Sequence, residues 1–113
     1  MNRTIATVVE GHGEVVAVPE LLRRLARELG LHHVLFPCPV RCLKSRFVRG
    51  AELDEDKLRR AIDLAVAKLP TARQGAVLVL IDADESCPAV LGPRILELAH
   101  QGRSDIHLGV CLA

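Results

Sequence analysis

The chain has 113 residues, half of them hydrophobic, with 15 Lys and Arg against 14 Asp and Glu and a formal net charge of +1. A single domain of this length buries roughly 65% of its unfolded surface, so it builds a core without disulfides or structural metal, and disorder is not expected. The balanced charge argues against a bare electrostatic binder of nucleic acid, and the apolar runs fall far short of the ~20 residues that cross a bilayer.

Thr4 to Val9 is β-branched and apolar, and Glu10-Gly11-His12-Gly13 ends it, which reads as a strand followed by a turn. Glu10 and Glu14 interrupt this start before a signal-peptide core could form, so no export signal is read and a cytoplasmic location is expected. Cys38, Cys42, Cys87 and Cys111 are then reduced thiols, and Cys38 and Cys42 lack the second pair of a zinc site. From Val18 onward, Val18, Leu21, Leu22, Leu25 and Leu29 recur at three- and four-residue steps, the apolar stripe of a helix that Gly30 stops. Pro19 fits the first turn of that helix, and a start nearer Glu14 predicts a kink at Pro19 instead.

His32 to Val40 is apolar but holds Pro37 and Pro39, which confines it to a sheet edge. Asp54 is the expected N-cap of a second helix with Leu58, Ala61, Ile62, Ala65 and Leu69 on one face, ended by Pro70. Ala76 to Ile81 is apolar on both alternations, as a central parallel strand buried on both faces would be. Ser86 is placed to cap a third helix carrying Leu91, Ile95 and Leu98, bent at Gly92-Pro93, and Ile106 to Leu112 reads as a last strand. The alternation of strand and helix predicts an α/β fold: a Rossmann-like three-layer sandwich with a mostly parallel four-stranded sheet and one domain over 1–113. Ligands in such folds bind beyond the carboxyl ends of the strands.

Carboxylates stand at those ends. Glu10 follows the first strand, and Asp82-Ala83-Asp84-Glu85 follows the third. If the two strands are neighbours, three like charges share one site, an arrangement costing several kcal/mol unless a cation or protons neutralise it. Carboxylate oxygens suit Mg²⁺, with Mn²⁺ able to substitute, which points to metal-assisted phosphoryl chemistry. Asp82 and Asp84 reach one ion from alternate positions, Glu10 adds a ligand or exchanges a proton, and Glu14 or Glu85 assists. Gly11 and Gly13 are expected to allow φ > 0 and to let a phosphate approach backbone N–H groups.

Val8-Val9-Glu10-Gly11-His12-Gly13-Glu14, followed some seventy residues later by Leu78-Val79-Leu80-Ile81-Asp82-Ala83-Asp84, resembles the two signature motifs of the TOPRIM domain of primases, topoisomerases and small nucleases. The whole chain is most similar to a bacterial family of small stand-alone TOPRIM-like proteins. The resemblance implies Mg²⁺ at Asp82 and Asp84 and an acid/base role for Glu10. The chain departs from the topoisomerases in having no tyrosine, and Ser86 stands where many such sites carry a further acidic residue.

Arg41, Lys44, Arg46 and Arg49 place four cations in nine residues, with Phe47 among them. Of these, Arg41, Lys44 and Arg46 are candidates for holding substrate phosphates, which would reconcile a near-neutral protein with a polyanionic substrate. A dinucleotide fingerprint fails because Val16 occupies the third glycine position, and a Walker loop fails because no Gly-Lys-Ser/Thr occurs. The expected function is Mg²⁺-dependent phosphodiester hydrolysis on nucleic acid. The alternative is a non-catalytic TOPRIM-like module that binds nucleic acid or a partner protein. No membrane partner is expected, and the apolar last strand points to self-association into a homo-oligomer.

Overall fold

The computed structural model describes residues 3–42, 48–49, 52–53, 55–70, 75–81, 88–102 and 106–112. The elements run β1 (Arg3–Val9), α1 (His12–Glu28), β2 (Val34–Leu35), β3 (Val40–Arg41), β4 (Val48–Arg49), β5 (Glu52–Leu53), α2 (Glu55–Val66), β6 (Gly75–Ile81), α3 (Pro88–Gly102) and β7 (His107–Leu112). The main sheet is parallel throughout, in the order β2-β1-β6-β7, with β3 also paired to β1. Because β6 occupies one edge of β1 from Thr4 to Val8, β2 at Arg3–Thr4 and β3 at Val8–Val9 share the other edge. They form one edge strand broken between Phe36 and Pro39. Pro37 and Pro39 have no N–H to give to the ladder, which accounts for the break.

The expected α/β class and mostly parallel sheet are present. The sequence did not signal the small antiparallel pair β4–β5, with Val48 opposite Leu53. Two-residue strands are too short to show a hydrophobic period.

Alternation along the strands organises the core. Ala6 and Val8 of β1 and Val77, Val79 and Ile81 of β6 are buried in one cluster with Leu58, Ala61, Ile62, Ala65 and Leu69 from α2 and the turn after it, and with Ile95 and Ala99 from α3. The opposite alternation of β6, Ala76, Leu78 and Leu80, is only half-buried, so burial of this strand on both faces, as the apolar run suggested, is not what forms. Val9 of β1 and Val18 and Ala26 of α1 are buried outside this cluster, so α1 serves a second, smaller set of contacts.

Helix ends follow local chemistry. Helix α1 starts at His12, six residues before the expected stripe, with Gly11 as N-cap, and Pro19 lies inside it and is buried. Its C-terminus closes with Gly30 at φ +76, Gly30 N–H donating to Arg27 O and Leu31 N–H to Ala26 O. This double bond pattern is the helix stop that glycine permits in the left-handed region. Helix α2 ends at Val66 rather than running to Pro70, because the chain tightens there: Lys68 and Leu69 N–H groups bond three residues back, to Ala65 and Val66. The expected caps Asp54 and Ser86 lie outside the described residues. Among the described residues, no helix is long and apolar enough to cross a membrane.

Candidate functional site at the carboxyl end of β1 and β6

The strand order turns at one point. From β1 the chain passes to β2 and β3 on one side, and β6 and β7 then extend the sheet on the other. The crevice beyond the carboxyl ends of such a pair is where open parallel sheets bind ligands. Here the pair is β1 and β6, in register from Thr4↔Gly75 to Val8↔Val79. The neighbour relation on which the acidic constellation depends is therefore present. Glu10 follows the last residue of β1, is half-buried, and sits at this end of the sheet.

Four polar bonds fix the strand-to-helix junction. Glu14, the third residue of α1, returns its carboxylate to the chain: Oε2 accepts from the N–H of Glu10 and from the N–H of Gly11, each at 3.0 Å. This is the carboxylate half of a capping box, with a glycine N-cap that has no side chain to reciprocate. The spacing Gly-x-x-Glu carries that signal in the sequence. The Nε of Arg41 donates to the carbonyl oxygen of Glu10 at 3.1 Å, and the N–H of Cys42 donates to the carbonyl of Val9 at 2.7 Å. Arg41 reaches this point because β3 registers it opposite Val9. Its guanidinium has five N–H donors, of which this bond uses one, so an exposed cation with donors to spare stands beside Glu10.

The expectation for the two glycines changes. Gly11 is extended, at φ -114, and Gly13 is helical, so neither uses the left-handed region. A β-carbon at Gly11 would touch only Glu14, at 4.0 Å, and at Gly13 it would meet nothing within 4 Å. Their contribution is open space at the mouth of α1. The Gly11 N–H is already bound to Glu14, whereas the first-turn N–H groups of His12, Gly13 and Glu14 have no acceptor within the helix and face that space with the positive end of the dipole. His12 is exposed at the first helical position.

Asp82, Asp84 and Glu85, together with Lys44 and Arg46, lie outside the described residues. Asp82 follows Ile81, the last residue of β6, directly in the chain. The structure therefore brings together Glu10, Glu14, Gly11, Gly13 and Arg41. Among the described residues no group of three or more His, Cys, Asp or Glu could hold a metal ion. Comparisons with protein-family models, curated proteins and solved structures find no match to this chain.

Proposed function

We propose that the carboxyl end of β1 and β6 is a TOPRIM-like site, in a Rossmann-like three-layer fold, that carries out Mg²⁺-dependent hydrolysis of phosphodiester bonds in nucleic acid. The observation that carries the reading is the direct parallel pairing of β1 with β6 at the point where the strand order turns. It gives Glu10 and the chain entering Asp82-Ala83-Asp84 a common end of the sheet. All three side chains offer the hard oxygen donors that Mg²⁺ selects, and the cation Arg41 at the Glu10 carbonyl supports an anionic substrate. Asp82 and Asp84 would hold the ion, with Glu10 as the further ligand or the group that moves a proton. A bound divalent ion supplies charge neutralisation to the phosphodiester. Arg41 orients a phosphate oxygen, and the open first turn of α1 at Gly13 admits another.

Glu14 acts in this reading through position. Its carboxylate holds the backbone of Glu10 and Gly11, and so aims the Glu10 side chain. The test is cleavage of labelled DNA and RNA with Mg²⁺ or Mn²⁺. Glu10→Gln lowers the rate by about 10²–10⁴, the usual contribution of a positioned acid or base, and Asp82→Asn abolishes metal-stimulated cutting. Cutting that survives Asp82→Asn, or a wild-type protein that binds nucleic acid without cutting it, contradicts the hydrolytic reading. The second of these results leaves the non-catalytic binding module.

A further inference from the structure

A cavity of about 550 Å³ opens at the opposite, amino-terminal end of the sheet, beside the edge strand β2. Val34, Leu35, Phe36 and Leu69 give it an apolar lining, and Arg23 from α1 and Lys68 from the turn after α2 bring two cations to it. A second hollow of about 270 Å³ shares Arg23, Val34 and Phe36 with the first and adds Arg27 and His32. Among the described residues, neither lining includes an Asp or a Glu. In a protein with 15 basic and 14 acidic residues, this is a local excess of positive charge over an apolar floor.

The side chains here are held without being used up. The Nζ of Lys68 donates to the carbonyl oxygen of Cys38, which fixes it at the cavity wall and leaves further donors on the ammonium. Arg23 approaches Glu20 at 3.8 Å, but both are more than half exposed, and such a pair is screened by water and easily given up. Leu35 is 53% exposed at the cavity, an apolar surface left in water.

We propose that this cavity binds a small amphiphilic anion, with an aliphatic body on Val34, Leu35 and Leu69 and a terminal carboxylate or phosphate between Arg23 and Lys68. The volume lies in the range of small-molecule sites, which are mostly apolar with a few placed polar groups. The charge fits an anion. Among the described residues of this cavity the floor is aliphatic apart from Phe36, which is 8% exposed and so offers no stacking platform to the bases of a nucleic acid. The site is separate from the chemistry proposed at the other end of the strands.

The test is titration of the full chain, without added divalent metal, against decanoate, decan-1-ol, inorganic phosphate and an oligothymidylate, followed by calorimetry and by amide NMR shifts. Decanoate is expected to bind at least about tenfold more tightly than decan-1-ol or phosphate, because only it meets both the cations and the floor. Its shifts are expected at Arg23, Leu35 and Lys68. Arg23→Glu and Leu35→Asp, both at exposed positions, are each expected to weaken decanoate about tenfold while the far-ultraviolet circular dichroism stays unchanged. The proposal is overturned if decanoate binds no better than decan-1-ol or phosphate, if neither variant weakens it, or if the oligothymidylate binds more tightly and displaces it. Because metal and cleavage play no part in these measurements, their failure leaves the reading of the opposite end untouched.

Discussion

Helix α2 buries Leu58, Ala61, Ile62 and Ala65, each no more than 4% exposed, whereas Leu21 and Leu25 of the longer α1 and its C-cap Leu29 are between 46% and 74% exposed. Both helices are amphipathic, and the difference lies in how much of the apolar arc is covered. In α1 the arc from Leu21 through Val18 to Ala26 spans about 140° at 100° per residue, and only part of it is covered. Val18, Pro19 and Ala26 take the buried half. The helix that carries the candidate site is thus held by few apolar contacts, and its N-terminus is positioned instead by the Glu14, Arg41 and Cys42 hydrogen bonds. The larger apolar core and the candidate site are divided between the two helices.

That division can be broken by measurement. Ile62→Ala, at the centre of the α2 contacts, is expected to cost about 2–5 kcal/mol in denaturant unfolding. A cost below about 1 kcal/mol would mean that α2 is as loosely seated as α1. On the other alternation of β1, Thr7 is buried and its Oγ1 has no hydrogen-bond partner among the described residues, while Ala6 and Val8 face the apolar cluster. Thr7→Val keeps the shape and removes the orphaned hydroxyl, so a gain of about 1 kcal/mol is expected by the same unfolding measurement. A loss of stability would reveal a partner for that hydroxyl. Leu25→Ala, on the uncovered stripe of α1, is expected to change stability by less than about 0.5 kcal/mol. A loss above about 2 kcal/mol would show that the stripe is covered in solution.

Much of the framework was legible because long elements repeat their signals. The alternating run of β1, the apolar run of β6 and the 58-61-62-65-69 spacing of α2 each name an element and a buried face. The face that α1 presents was not legible. Val18, Leu21, Leu22, Leu25 and Leu29 carry the strongest period, yet of these only Val18 is buried, joined by Pro19 and Ala26, and Pro19 lies inside a helix that starts at His12, near the alternative start at Glu14. A sequence period states that a stripe exists and leaves its partner to tertiary contacts. At the candidate site, Glu10 and Arg41 could be named from the motif and the charge cluster, but their meeting depends on the register of β3 against β1, which two-residue strands do not announce. Lys68 and Arg23 at the opposite cavity are far apart in sequence and share no motif, so only the folded chain assembles them.

The central claim is that Glu10 and the Asp82 and Asp84 pair serve one divalent ion across the β1–β6 junction. The direct test is the Mn²⁺ affinity of the wild type, Glu10→Gln and Asp82→Asn, read from the paramagnetic resonance signal of free Mn²⁺. A shared site predicts that each substitution weakens binding about tenfold or more. If Asp82→Asn weakens Mn²⁺ binding and Glu10→Gln leaves it unchanged, the two strand ends do not hold a common ion and the claim is contradicted.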